Sequence, residues 1–357
     1  MTKSLTDINS SIDIRTCGIN LDHWYVVAQS LEVTSEPLEV VVWEQSIVLY
    51  RDEQKKIQAI ENSCPHRQVK LSSGKIIGND LECAYHGWRF NSEGKCIFIP
   101  YLNDRNKLPN CQITSYLAWE SDGFIWVFLG DPKELQRTSG QPLKIPEWGH
   151  LNYIATVSII ECQGHFSFLI ENLMDMYHGH LHENYQAWNS AKLVKLTSNE
   201  KRVDALYEIK SYYKIDKIWS IFQLFFPRLR QLHSDLLQVN YIYPHWMSTL
   251  GDDFKIYCLL CPINNNHTRA YLIHFTSLNA FERLHKLPIW FRRWIKNSLF
   301  GSAQKMLDGL VKQDIFMIEQ EQQAYSNDIR QQAYEINPTI SQVQKIIKKQ
   351  FQLYENN

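Results

Sequence analysis

Between Trp24 and about Phe128 the chain is a series of short apolar runs: 24–29 (WYVVAQ), 38–44 (LEVVVWE), 46–52 (SIVLYRD), 56–62 (KIQAIEN) and 124–130 (FIWVFLG). They are rich in β-branched and aromatic residues and are broken by charged or Gly-containing turns, the pattern of strands in a small antiparallel β domain. Residues 131–146 (DPKELQRTSGQPLKIP) are polar, with three prolines and one glycine, and read as a linker. Beyond it a strand-like run over 153–162 gives way to a helical pattern over 165–182. Strand patterns return near 205–213, 238–247, 255–262 and 270–277, and helical periodicity fills about 280–334 and 340–353. This order predicts an α+β fold in two domains, 20–134 and 135–357, with 1–19 as an N-terminal extension.

The chain has 357 residues, 44% of them hydrophobic, enough for two cores. Its 37 basic and 38 acidic side chains nearly cancel, so no charge excess points to nucleic acid or draws the whole protein to a membrane. The longest apolar window, 218–227, is about half a membrane span. The first thirty residues contain Lys3, Asp7, Asp13 and Arg15 and no apolar core of signal-peptide length. A soluble, cytoplasmic protein is expected. Segment 287–312 mixes Trp290, Phe291, Trp294, Ile295 and Leu299 with Arg292, Arg293, Lys296 and Lys305. Such a helix can pack with its long stems over apolar neighbours, dock an acidic electron donor, or lie on a membrane surface; membrane contact is the least expected of the three. No glycine-rich dinucleotide fingerprint is present.

The chemistry concentrates in two stretches. In the first, 64–90 (CPHRQVKLSSGKIIGNDLECAYHGWRF), Cys64 pairs with His66 and Cys83 with His86, and sixteen residues separate His66 from Cys83. Two thiolates and two imidazoles match a Rieske two-iron cluster, with Cys on one iron and His on the other. Pro65 and Gly87 permit tight loops, and Gly74 and Gly78 punctuate the connection between them. A structural zinc site is the competing reading, although Cys2His2 zinc sites usually keep both Cys in one pair and both His in the other. The remaining cysteines, including Cys258 and Cys261 in KIYCLLCPI, read as small buried hydrophobes.

In the second stretch, 171–182 (ENLMDMYHGHLH), Asn172, Asp175, His178 and His182 recur at three, three and four residues, so a regular helix would align them on one stripe. Two imidazoles one turn apart can bind one metal ion, with Asp175 placed to accept a hydrogen bond from a ligand ring. Gly179 stands where a zinc peptidase would carry its general-base Glu, which argues against that chemistry. His180 would point away and belong to a pocket, not to the ligand set. A purely structural polar helix face is the alternative.

Together the two stretches resemble the Rieske non-haem iron oxygenases, specifically terminal oxygenase subunits of the homotrimeric monooxygenase type. The first lacks the extra loop cysteines of respiratory Rieske proteins, and the second matches Asn-x-x-Asp-x-x-His-x3-His. The resemblance implies a helix-grip-like catalytic domain, a [2Fe-2S] cluster on Cys64, His66, Cys83 and His86, and mononuclear Fe(II) on His178, His182 and a late carboxylate. Asp314, in LVKQDIFMIEQEQ, fits that position, with Asp308, Glu319 and Glu321 as competitors. Asn172 and Asp175 are the implied catalytic polar residues, with Asp175 carrying electrons from His86 of a neighbouring subunit. Also implied are a homotrimer, dioxygen, a small-molecule substrate, and a ferredoxin with a flavin-dependent reductase as donors. Hydroxylation of a C–H bond in a complex small molecule such as a specialised metabolite is the expected reaction. O- or N-demethylation, aromatic ring dioxygenation, and a non-enzymatic Rieske electron carrier are the alternatives.

Overall fold

The computed structural model describes residues 12–102, 108–137, 140–185, 188–212, 232–277, 288–327 and 334–355. Its contacts divide the chain into two units, Asn20–Ile145 and a second made of Met1–Ile19 with Pro146–Asn357. The division falls after Ile145 instead of at 134/135. A 3-10 turn over Pro132–Arg137 and a hydrogen bond from Ile145 N–H to the Asp122 carboxylate keep the linker with the first unit.

In the first unit, strands β1 (Trp24–Gln29), β2 (Leu38–Val42), β3 (Gln45–Arg51), β4 (Ile57–Glu61), β9 (Ser115–Ser121) and β10 (Phe124–Phe128) form one antiparallel sheet in the order β1-β10-β9-β4-β3-β2. All five residues of β10 are buried, which explains its unbroken apolar run. Hairpin β9–β10 turns on Asp122-Gly123, both at positive φ, as a right-twisted two-residue turn requires. Trp43 and Glu44 adopt the same region between β2 and β3, where nothing in their side chains advertises it. A second antiparallel sheet, β5 (Lys75–Ile77), β6 (Asp80–Glu82), β7 (Arg89–Phe90) and β8 (Cys96–Phe98), carries the Cys/His loops. A core including Tyr50, Ile60, Leu71, Leu81 and Phe90 lies beneath them.

The second unit is built on a seven-stranded antiparallel sheet. Its strands are β11 (Tyr153–Cys162), β12 (Trp188–Ser198), β13 (Arg202–Ser211), β14 (His233–Ile242), β15 (His245–Leu250), β16 (Phe254–Asn264) and β17 (His267–Ser277), in the order β11-β17-β16-β15-β14-β13-β12. Among the described residues three α-helices accompany it: α1 (Phe166–Met174), α2 (Ile289–Ser326) and α3 (Pro338–Glu355). The α+β expectation holds. The run expected as one strand over 238–247 is two strands, because Tyr243-Pro244 makes the β14–β15 turn and proline cannot continue a ladder. Strand β12 has no counterpart in the sequence reading. It is an edge strand exposed along most of its length and lacks the apolar alternation of a half-buried one.

Strand β16 pairs with β15 and β17, and Cys258 and Cys261 are both fully buried on it. Burial pushes both thiols well up, which leaves them inert hydrophobes. Residues 12–19 are tied into this unit: the Arg15 guanidinium grips the Glu171 carboxylate at 3.0 and 2.6 Å, and the Cys17 carbonyl lies 3.0 Å from His165 Nε2. On the first turns of α2, Trp290 and Trp294 are exposed. Among the described residues no helix is long and apolar enough to cross a membrane. The apolar run 218–227 lies outside the described residues.

Candidate metal centres

The first Cys/His loop follows β4 and the second joins β6 to β7, and the two are built alike. Cys64 N–H donates to the Val69 carbonyl at 2.9 Å and Gln68 N–H to the Cys64 carbonyl at 2.8 Å. In the second loop Cys83 N–H donates to the Trp88 carbonyl at 2.8 Å and Gly87 N–H to the Cys83 carbonyl at 3.1 Å. The residue four after each cysteine is left-handed, Gln68 at φ 60° and Gly87 at φ 68°. A Cβ on Gly87 would also lie 2.8 Å from Pro100, so glycine is required there on two counts.

These loops bring all four candidate ligands together. Cys64 and Cys83 are buried and within hydrogen-bonding reach of each other, and the His66 and His86 rings are 4.6 Å apart on the more open side. Burial pushes the Cys64 thiol up to about 11, a preference that a bound metal reverses because its ligand is the thiolate. His66 Nδ1 is buried with no hydrogen-bond partner, a costly state that coordination would relieve. Trp88 stacks on the His66 ring at 4.8 Å and holds its plane. The donor set and the orphaned nitrogen fit a Rieske cluster.

The second group lies at the end of α1. This helix stops at Met174, and Asp175 is its C-cap with extended backbone. His178 sits in the following turn and His182 in a 3-10 helix over Gly179–Tyr185. The single helical stripe expected for Asn172, Asp175, His178 and His182 is therefore corrected: the chain leaves the α-helix between the first and second of them. What replaces the stripe is a turn closed over the sheet. Gly179 faces Trp188, whose ring atoms would be 2.4 Å from a Cβ there. The Trp188 indole then packs 5.6 Å from the His178 ring and 5.0 Å from the His182 ring.

Across from the two histidines, α2 presents Asp314. Its Oδ1 is 3.2 Å from His182 Nε2 and 3.7 Å from His178 Nε2, and one donor atom from each of the three lies within 4.8 Å of the others. Separations of this size suit atoms that each sit about 2 Å from a shared ion. His182 Nδ1 is 3.0 Å from Gln313 Oε1, a bond that places the proton on Nδ1 and leaves the Nε2 lone pair facing Asp314. Burial pulls the His178 imidazole down against the opposing pull of Asp314. For His182 burial acts the same way, but the hydrogen bond and charge of Asp314, with Gln313, outweigh it and raise the group.

Residues 23–116 match the profile of the Rieske [2Fe-2S] domain. Along nearly the whole chain, 4beta-methylsterol monooxygenase from Methylococcus capsulatus is 27% identical over 358 residues, covering 96% of this chain and 92% of that protein. The oxygenase component of dicamba O-demethylase from Stenotrophomonas maltophilia is 29% identical over 160 residues, 43% of this chain and 45% of that protein. In three dimensions the crystal structure of dicamba monooxygenase bound to dicamba superposes with a TM-score of 0.74, over 95% of this chain and 100% of that one, at 19% identity. The chain carries a Rieske [2Fe-2S] domain and is similar along its length to Rieske non-haem iron oxygenases.

Several of the candidate residues turn out to have other work. Asp308 accepts from Ser158 Oγ and from Gln304 at 2.8 Å, which ties α2 to β11, and Glu319 accepts from Gln163 N–H at 2.9 Å. Burial raises the Glu321 carboxyl. His180 is exposed. Asn172 Nδ2 approaches Asp314 Oδ1 at 3.4 Å. Asp175 makes no hydrogen bond to His178. Its Oδ1 instead accepts from Tyr177 N–H at 2.9 Å and Asn337 Nδ2 at 3.1 Å, because the extended backbone at the cap turns the carboxylate toward α3. Sequence reasoning passed over Gln313, Trp188 and Asn337. Gln313, adjacent to the chosen Asp, was the one with a readable signal.

A cavity partly open to solvent adjoins the His178, His182 and Asp314 group. Leucine, isoleucine, valine, tryptophan and methionine side chains make most of its wall, including Leu173, Met176, Trp188, Ile209, Leu307 and Val311. Among the aromatic residues of this unit, Phe166, Tyr241 and Phe275 are core and Trp246 lines the cavity.

Proposed function

We propose that this oxygenase hydroxylates an unactivated C–H bond of a complex, mainly apolar small molecule, and that a methyl group on a sterol-like ring system is a candidate position. The observation that carries this reading is the apolar cavity opening directly on His178, His182 and Asp314. The full-length similarity to 4beta-methylsterol monooxygenase supports the substrate class.

In this reading Cys64, His66, Cys83 and His86 hold the cluster, and His178, His182 and Asp314 hold Fe(II). When bound, the cluster supplies single electrons and the iron supplies dioxygen activation and oxygen insertion. The chain's own residues orient and protect that chemistry. Gln313 keeps the His182 proton on Nδ1, and Asn172 steadies Asp314. Trp188 and the α2 side chains Leu307 and Val311 exclude water and present C–H bonds toward the triad. Asp175 has one carboxylate oxygen anchored by Tyr177 and Asn337, and we assign it the bridge to His86 of a neighbouring subunit in a homotrimer. A ferredoxin and a flavin-dependent reductase supply the electrons, and the cytoplasm is the assigned compartment.

Iron quantitation and oxygen uptake test this. About three irons per chain and substrate-dependent oxygen consumption support the oxygenase; about two, with no uptake, would make the protein a Rieske electron carrier. Formaldehyde release with a methoxy or N-methyl substrate would mark demethylation, and a cis-diol from an arene would mark ring dioxygenation. Co-expressing Cys64→Ser chains with Asp175→Ala chains tests the bridge. Partial recovery of activity in the mixed oligomer is expected, and none means that the two centres work within one chain.

A further inference from the structure

Three polar side chains in the cavity wall are left without partners, and the function proposed above does not use them. Trp246 Nε1 is buried and unbonded, and neither Ser248 Oγ nor the His274 ring has a hydrogen-bond partner among the described residues. They are 4%, 3% and 5% exposed, and all three line the cavity. A buried donor with nothing to bond costs about 1–3 kcal/mol, so Trp246 Nε1, with Ser248 and His274 beside it on the same apolar wall, calls for a ligand.

The sheet register explains how they meet. Ser248 pairs with Ile256 and Ile256 with His274, so the serine and histidine flank Ile256 on one row of the sheet. Directly opposed residues share a face, as do residues two apart on a strand, which brings Trp246 to the same face. At about 4.8 Å per strand, Ser248 and His274 arise about 10 Å apart. One oxygen near the middle, or two on one ring system, can reach them. Phe254 stacks parallel to the His274 ring, 6.2 Å away, and restricts it.

The charge pattern narrows the ligand. Among the described lining residues there is no lysine or arginine, and the charged group in the wall is the Asp314 carboxylate. Burial holds the His274 imidazole down at about 4, so it enters the cavity neutral. A carboxylate or sulfonate placed here would lose its hydration with no cation to meet it. Trp246 can only donate, which requires an acceptor on the ligand, and a neutral histidine and a serine can each donate or accept.

We propose that Trp246, Ser248 and His274 form a recognition site for a hydroxyl or carbonyl oxygen of an uncharged, otherwise apolar substrate, and that this site selects against anionic substrates. The inference deepens the oxygenase reading and rests on it for the identity of the cavity, but it is testable by binding alone.

Equilibrium dialysis of the iron-loaded, full-length protein would use matched probes: a 4-methylsterol with its 3-hydroxyl, its 3-keto and its 3-deoxy forms, and 2-naphthol beside naphthalene and 2-naphthoate. The oxygenated neutral member of at least one set should bind about tenfold tighter than its deoxygenated partner. The naphthoate should bind no better than naphthalene. His274→Phe and Ser248→Ala should each erode the preference while leaving the deoxygenated probes' affinity within about twofold. Trp246→Phe provides a third variant if His274→Phe does not fold. The proposal is overturned by equal binding of the paired probes, by preference for the anion, by variants that leave the preference intact, or by no measurable binding at all. Selective binding without any oxygen uptake would instead count against the oxygenase function and leave the recognition site standing.

Discussion

The two candidate metal centres are held in opposite ways. Each Cys/His loop closes on itself within six residues through a pair of backbone hydrogen bonds, so its geometry belongs to the loop. The His178, His182 and Asp314 group is assembled from the unwound end of α1 and from α2, with Gln313 reaching His182 from 131 residues away in sequence. Its geometry belongs to the packing of α2 on β11 and α1, including the Ser158, Gln304 and Asp308 bonds. A locally closed site tolerates distant changes. An assembled one inherits every shift of the elements that carry it.

The largest expected effect breaks the local centre. Cys64→Ser should abolish the visible cluster absorption and reduce oxygenation by more than about a thousandfold, while the second centre still binds one iron. Retention of the cluster bands would refute the assignment of Cys64. Asp314→Ala should bring activity to a similar floor and remove about one iron per chain by elemental analysis, with cluster bands unchanged. Loss of the cluster as well would show that the centres are not structurally separate.

Asp175→Asn keeps the shape and hydrogen bonds of the cap but removes its charge. Both metals should stay, and turnover should fall on the order of a hundredfold; an undiminished rate would end its role as a bridge. Gln313→Leu frees the His182 Nδ1 proton and should weaken iron binding about 10- to 100-fold, read by chelator competition, without altering the cluster spectrum.

The smallest effect concerns acid. Burial, aided by the Arg15 charge and opposed by the Cys17 carbonyl and Asp13, holds His165 at about 4, and burial holds His274 at about 4, against 6.5 when exposed. Both are neutral in the folded state and take up protons on unfolding, so their contribution is full above pH 6.5 and is lost as pH falls toward 4. On the order of 3 kcal/mol per histidine is at stake. The urea midpoint should drop across that window, and His165→Gln should flatten the slope.

Legibility in the sequence followed the same division. Strands 24–29 and 153–162 were readable from alternation and apolar runs, and so were the four ligand residues of the loops, whose spacing is itself the motif. The unwinding after Met174 was not readable, because 165–182 carries a helical period throughout and the break comes from Gly179 facing Trp188 on a strand that itself lacked an apolar signature. Asn172, His178 and His182 stood out by their spacing, whereas Asp314 could be named only through a resemblance. Gln313, Trp188 and Asn337 became visible only when their elements were packed.

From the order of its residues alone this protein determines two β-rich units, two self-closing Cys/His loops, and a histidine pair with a carboxylate to follow. Tertiary structure alone decides that Asp314 and not Asp308, Glu319 or Glu321 faces those histidines, and that Trp246, Ser248 and His274 look into one cavity. Hydrogen bonds four residues apart are written in local sequence. The face that a residue shows to a partner more than a hundred positions away depends on sheet register and helix packing, which only the folded chain sets.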